Sequence, residues 1–301
     1  MEKIDAVFNW MIQQGIPCAR KEPMARHTSF KIGGPAEIYC VPQNSCQLQG
    51  IRDKCNALGV RAYFLGKGTN VLFSDAGYNG VIIRIGEPFS KIEAQGTLLK
   101  AGAGAALSKV CLAAADNGLT GLEFAFGIPG CVGGAIYMNA GAYEGEIKDV
   151  LQDVTFLDEN GHEITLKADA LSLGYRTSAF AYMPWCILSA TFRLTKGDPE
   201  QIRQKMTEYA RRRTEKQPLD LPSAGSTFKR PDGAYASALI DQCGLRGYAV
   251  GDAAISEKHC GFVVNKGNAT CADVLCLTDV VTKIVKEQTG FTLEKEIRVV
   301  E

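Results

Sequence analysis

Apolar residues recur along the chain in two periods, and the period assigns the elements. Leu48, Ile51, Cys55 and Leu58 step by three or four and predict a helix over residues 45–58, capped by Ser45 and stopped by Gly59. Short β-type runs flank it at Ile38–Val41, Ala62–Leu65 and Val81–Ile85. Further on, the run Gly96–Ala103 precedes a helix carrying Leu107, Val110, Cys111, Ala114 and Ala115, which ends near Gly118. Asn160-Gly161 between Val154–Leu157 and Glu163–Leu166 predicts a hairpin. Trp185–Leu194 reads as a long strand. Asp198-Pro199 then opens a helix with Ile202, Met206 and Tyr209 on one face. Thr270, with Asp273 in the first turn, caps a helix through Val274, Leu277, Val281, Ile284 and Val285 that stops at Gly290. Leu293–Val300 alternates: Leu293, Lys295, Ile297 and Val299 point one way, Glu294, Glu296 and Arg298 the other.

Composition narrows the class. In 301 residues, 33 basic side chains balance 33 acidic ones, which argues against a nucleic-acid or acidic-membrane coat. No apolar run is long enough for a transmembrane helix, and residues 1–12 lack the pattern of a signal peptide, so a cytoplasmic location is expected. The 11 cysteines are scattered without a C-x-x-C pair, and only three histidines accompany them. They read as small buried hydrophobes in a reducing compartment, and no metal site is expected.

Glycine is the outlier. Its 32 copies exceed the ~7% norm, and most lie between Gly33 and Gly145. Three clusters stand out: Lys31-Ile32-Gly33-Gly34-Pro35, Gly66-Lys67-Gly68-Thr69-Asn70-Val71, and Gly127-Ile128-Pro129-Gly130 with Gly133-Gly134. Each could be only a tight turn; together they suggest amides converging on phosphate oxygens. Val71 stands where a Rossmann fingerprint needs its third glycine, and no P-loop motif is present.

Arg26-His27-Thr28-Ser29-Phe30-Lys31-Ile32-Gly33-Gly34, the 66–70 and 127–134 motifs, and Met138-Asn139-Ala140-Gly141-Ala142-Tyr143 are followed by Tyr175-Arg176-Thr177-Ser178, Gly225-Ser226-Thr227-Phe228-Lys229 and Leu293-Glu294-Lys295-Glu296-Ile297-Arg298. In this order and spacing they resemble the UDP-N-acetylenolpyruvoylglucosamine reductase (MurB) family over nearly the whole chain. The resemblance implies an α+β fold. Its parts would be an FAD-binding module of the vanillyl-alcohol-oxidase type in two subdomains (1–90 and 91–196) and a C-terminal α/β substrate-binding domain (197–301). It also implies NADPH and non-covalent FAD as cofactors, UDP-N-acetylglucosamine enolpyruvate as substrate and UDP-N-acetylmuramate, for peptidoglycan, as product. The short stretch 177–184 resembles the shorter class of the family, without a substrate-covering tyrosine loop, so Tyr182 is given no such role.

Carried over residue by residue, the resemblance makes Ser226 the proton donor, Arg176 the stabiliser of the enolate and Glu296 the third catalytic residue. Without it, these would read as a turn serine, a surface arginine and a solvated strand residue. Thr28, Gly33, Gly66, Lys67, Gly68, Thr69, Asn70, Val71, Ile128, Pro129, Gly130, Gly133 and Gly134 become FAD contacts. Lys216, Lys229 and Arg298 become substrate contacts; at Arg230 the chain departs from an asparagine that some members carry. The basic run Arg211, Arg212, Arg213 and Lys216 reads either as a solvated helix end or as capture of a diphosphate. His259 reads as ordering a loop before strand Phe262–Asn265. An FAD oxidase of the same fold and a non-catalytic UDP-sugar or nucleotide-binding module are the competing readings. No nucleic-acid partner and no membrane insertion are expected.

Overall fold

A computed structural model describes residues 2–301. The fold is α+β. Contacts group the chain into two compact units, each assembled from segments distant in sequence. The first holds residues 1–19, 38–67 and 80–213, and the second 20–37, 68–79 and 214–301. The chain passes from one to the other inside strands Cys18–Pro23, Pro35–Cys40 and Tyr78–Arg84, between Lys67 and Gly68, and inside helix Pro199–Lys216.

In the first unit, Ala62–Leu65 pairs in parallel with Val81–Arg84. A five-stranded antiparallel sheet runs in the order Glu163–Lys167, Leu151–Leu157, Cys186–Arg193, Leu98–Gly102, Ile92–Gln95. The predicted hairpin is its edge. Asp158 turns it by accepting from the N–H groups of Asn160 and His162 at 2.9 and 2.8 Å, an Asx-type turn. Helices Ser45–Leu58 and Leu107–Asp116 bury Leu48, Ile51, Cys55, Leu107, Val110, Cys111, Ala114 and Ala115 in one core with Phe156 and Phe192. The first helix begins one residue away from the expected cap: Asn44, not Ser45, accepts from Gln47 N at 2.9 Å.

In the second unit, an antiparallel sheet of order Ser223–Ser226, Phe262–Asn265, Ala253–Ile255, Ala249–Val250 shares a core with helices Ala236–Gln242 and Cys271–Thr289. Thr270 and Asp273 form the expected capping box on the longer helix, and Gly290 ends it. Asp75 adds a second carboxylate to that N-terminus, accepting from Cys271 N at 2.7 Å and Ala272 N at 3.0 Å. The expected strand Leu293–Val300 shortens to Arg298–Val300, paired in parallel with Val71–Phe73. Its alternation also fails: Ile297 and Val300 are buried, but Lys295 and Val299 are exposed. The chain bends at Ile297, and bonds to two separate segments fix residues 294–298 instead of one ladder. No described helix is long and apolar enough to cross a membrane.

Candidate functional site

The Gly66–Asn70 loop turns its carbonyls inward. Gly68 O accepts from Ser29 N at 3.0 Å, and Asn70 O accepts from Arg298 N at 3.0 Å. The N–H groups from Gly66 to Asn70 donate to no other described residue, which leaves a run of amides available to an anion. Gly68 has φ +66°, and a Cβ there would collide with the His27 carbonyl oxygen. In the first unit Gly66 lies against the second glycine loop: a Cβ on it would stand 2.7 Å from Cys131 Sγ. That loop is tied down by Gly130 O, which accepts from Leu107 N, and by Gly133 N, which donates to Ala103 O. Ile128 and Gly130 are half-buried, whereas Pro129 and Gly134 are exposed.

The remaining residues proposed from sequence as flavin contacts have partners within their own unit. The Thr28 hydroxyl donates to Ile32 O at 3.2 Å. Gly33 is packed so closely that a Cβ would meet Phe73 Cβ at 2.7 Å. Thr69 is half-buried, and Val71 starts the strand paired with Arg298.

Arg176 sits on a tight turn in which Gly174 and Thr177 exchange N–H···O bonds at 3.1 and 3.3 Å. Its φ is +54°, its guanidinium donates to Gly141 O at 3.2 Å, and its Cζ stands 5.1 Å from the Tyr175 ring centre. The neighbouring Thr177 Oγ1 is buried with no hydrogen-bond partner among the described residues. Beyond the turn comes a single helical turn, Ala179–Ala181, and Tyr182 is 81% exposed.

In the second unit, Ser226 and Glu296 lie on neighbouring segments. Thr227 joins them. Its N–H donates to Gly261 O at 2.8 Å, its carbonyl accepts from Glu296 N at 2.8 Å, and its buried hydroxyl accepts from Val263 N at 3.0 Å. Asn70 Nδ2 donates to Glu296 O at 3.2 Å, so the glycine loop holds the same segment. Gly225, at φ +77°, makes the irregularity that shifts strand register between Ser223 and Ser226, leaving Ser226 opposite Phe262. The Ser226 hydroxyl is half-buried and takes no hydrogen bond from another described residue. His259 supports this corner: its Nδ1 accepts from Gly261 N at 3.1 Å, its ring meets Phe262 edge-on, and burial pushes its pKa down.

The basic run divides. Arg211 and Arg212 both bind Glu208, at 2.9 and 2.7 Å, and hold its carboxyl down to about 2. Arg213 is half-buried instead, with its Cδ 3.2 Å from where a Cβ on Gly127 would be; burial lowers its pKa, opposed by the nearby Tyr143. Lys216 is exposed. Lys229 pairs with Glu294 at 3.1 Å, Arg298 is exposed, and the Arg230 guanidinium stands 4.2 Å from the Tyr235 ring centre.

Comparison with known proteins decides the family. The model of the FAD binding domain matches residues 36–167, and that of the UDP-N-acetylenolpyruvoylglucosamine reductase C-terminal domain matches 217–300. UDP-N-acetylenolpyruvoylglucosamine reductases from Agathobacter rectalis and Lachnoclostridium phytofermentans are 48% and 47% identical, each over 93% of this chain and 92% and 91% of their own. The chain belongs to the UDP-N-acetylenolpyruvoylglucosamine reductase (MurB) family. The crystal structure of the MurB enzyme from Thermus caldophilus agrees: TM-score 0.80, 33% identity, 95% of this chain and 99% of that one covered. As a member, the chain is a flavin-dependent oxidoreductase.

The residues present fit FAD, because the undonated amides of Gly66–Asn70 offer hydrogen bonds that diphosphate oxygens accept. Among the buried polar side chains of the MurB motifs that received no role from sequence is Asn139, fully buried in Met138–Tyr143. Its signal was an amide residue among small ones, which spacing alone does not distinguish from a turn.

Proposed function

We propose that this MurB-family enzyme reduces the enolpyruvyl double bond of UDP-N-acetylglucosamine enolpyruvate to give UDP-N-acetylmuramate for peptidoglycan. NADPH is the reductant, FAD is held non-covalently, and the setting is the cytoplasm, where eleven scattered cysteines are compatible with reducing conditions. In this reading residues 1–90 and 91–196 are the FAD-binding subdomains and 197–301 the substrate domain.

The bound flavin supplies the hydride that NADPH delivers to it. The chain's residues supply the rest. One carbon of the double bond gains hydride, and charge develops on the other, next to the carboxylate. Ser226 gives that carbon its proton. A serine hydroxyl is a weak acid, so the basicity of the developing carbanion and adjacent cations must drive the transfer. Arg176 stabilises the enolate, and loss of one such donor costs about 10²–10³ in rate. Glu296 supports the enolate or the proton transfer. FAD would be held by Gly66–Asn70 and by Ile128, Pro129, Gly130, Gly133 and Gly134, with Thr28, Gly33 and Val71 shaping the approach. Lys216, Lys229 and Arg298 receive the UDP-sugar, and Lys229 exchanges its partner Glu294 for the ligand on binding.

The observation that carries this reading is Ser226 itself. A bulge at Gly225 presents a hydroxyl with no partner among the described residues, one residue from the carbonyl that anchors Glu296. The test is to purify the protein with its flavin and follow NADPH consumption with and without the enolpyruvyl UDP-sugar. Consumption should depend on that sugar; oxygen-driven turnover unchanged by it would favour an oxidase. Ser226→Ala should keep flavin reduction by NADPH and lose flavin reoxidation by the sugar. Equal loss of both half-reactions would make Ser226 a structural residue.

A further inference from the structure

Four of the six non-glycine residues with positive φ fall in two short segments of the first unit: Asn139 (39°), Tyr143 (57°), Ser172 (47°) and Arg176 (54°). Such conformations persist only where the surroundings over-determine them, and they gather where geometry matters to function. Here the two segments hold each other. Asn139 Nδ2 donates to Gly174 O at 3.0 Å and to Glu146 Oε2 at 2.8 Å, while Asn139 Oδ1 accepts from Lys148 N at 2.9 Å. On the other side of Arg176, Ser178 Oγ donates to Tyr137 O at 2.8 Å. Between them, Arg176 Nη2 donates to Gly141 O at 3.2 Å. Backbone and side-chain atoms of residues 137, 139 and 141 thus grip positions 174, 176 and 178.

Asn139 is fully buried, and both ends of its amide are in use. Among non-glycine residues, asparagine also tolerates the left-handed conformation well. An aliphatic side chain of the same size would leave Gly174 O and Lys148 N without these partners and would strain the backbone. Through Gly174 O this amide reaches the turn carrying Arg176.

We propose that Asn139 is the positioning residue for Arg176, fixing the turn so that the guanidinium is held in place before the charge it stabilises develops. This rests on the reading of Arg176 as the enolate-stabilising residue. Asn139→Gly is the informative variant, because it deletes the amide without forcing a β-carbon into positive φ. In the flavin-loaded enzyme, stopped-flow absorbance should show flavin reduction by NADPH unchanged and reoxidation by the enolpyruvyl UDP-sugar slowed about 10–100-fold. Flavin content should be unaltered, and steady-state kcat should fall with the KM for NADPH constant.

The cycle with Arg176→Ala separates the two claims. If Arg176→Ala alone leaves reoxidation intact, the role of Arg176 fails. If it slows reoxidation, adding Asn139→Gly should cost less than about twofold more, because both act through one group. The same 10–100-fold loss in both backgrounds, or an equal slowing of flavin reduction, overturns the proposal. Should Asn139→Gly not retain flavin, Ser178→Ala carries the same cycle through the other tie. It is expected to slow reoxidation several-fold in the parent and not in Arg176→Ala, and independence again overturns it.

Discussion

Replacing Gly68 by alanine tests how the cofactor loop is held. Gly68 sits at φ +66°, where an L residue loses about 1–2 kcal/mol. The new Cβ would also collide with the His27 carbonyl oxygen and stand 3.1 Å from both His27 C and Thr28 Cα, so the backbone at residues 27–28 must move. That movement weakens the bond from Ser29 N to Gly68 O, 3.0 Å long, for about 1 kcal/mol more. The loss is therefore about 2–3 kcal/mol, against a usual total of about 5–15 kcal/mol. For a chain of 301 residues it should lower Tm by roughly 3–5 °C. The amides of Gly66–Asn70 move with the loop, so FAD affinity should fall at least about tenfold. The assay is differential scanning fluorimetry of apo-protein together with FAD titration by flavin fluorescence. Two controls separate the causes. Gly225→Ala at φ +77° has nothing within 4 Å of its Cβ, so it should show only the conformational penalty, about half the Tm loss. Gly134→Ala is exposed, its Cβ 3.9 Å from Cys131 Sγ, and should leave the apo Tm unchanged while weakening FAD. A Gly68→Ala protein melting within 1 °C of the parent would refute the collision argument.

Other outcomes follow from single contacts. Thr227→Val leaves the buried Val263 N–H without its side-chain acceptor and should destabilise the protein by about 1–3 kcal/mol in urea titration; a loss under about 0.5 kcal/mol would mean the hydroxyl is not needed. Arg211 and Arg212 depress Glu208 from the ordinary 4.5 to about 2, so this ion pair stabilises above pH 4.5 and its effect fades as pH falls toward 2. Glu208→Gln should therefore lower Tm slightly at pH 7 in low salt and match the parent at high salt or near pH 2. Of the eleven cysteines, the exposed Cys46 and Cys276 should react first with a thiol reagent at pH 7.5. Buried Cys55, Cys111 and Cys186, pushed up to about 12, should wait for denaturant, which a mass-spectrometric time course would resolve.

Much of the architecture was legible because its determinants are local. The capping box at Thr270 and Asp273, the stop at Gly59 and the turn at Asn160-Gly161 lie within a few residues of what they control. Adjacent capping residues were not separable: Asn44 and Ser45 both suit an N-cap, and only the bond to Gln47 decides. The terminal strand departs from its sequence pattern because alternation requires one continuous ladder. Residues 294–298 instead take their partners from Lys229, Thr227 and Asn70, which no local pattern encodes. The glycine excess carried two meanings that composition cannot separate. Gly33 makes room for Phe73, whereas a Cβ on the exposed Gly134 would meet only Cys131 Sγ, at an ordinary 3.9 Å. The arginine run likewise hid a division, with Glu208 occupying two members and Arg213 turning toward Gly127. Ser226, Arg176 and Glu296 were found only through their surrounding motifs, since each alone is an ordinary polar residue.

The parallel pairing of Val71–Phe73 with Arg298–Val300 has a consequence for biosynthesis. More than two hundred residues separate the partners. At about 5–20 residues per second, a ribosome needs on the order of ten to forty seconds to deliver the second after the first. Throughout that interval Val71–Phe73, which includes the fully buried Leu72 and Phe73 of the finished fold, lacks its partner edge. The segment following the cofactor loop is therefore the nascent chain's period of greatest exposure to chaperones and to misassociation. Slowing translation downstream of residue 73 should lower the yield of flavin-loaded protein more than slowing it upstream.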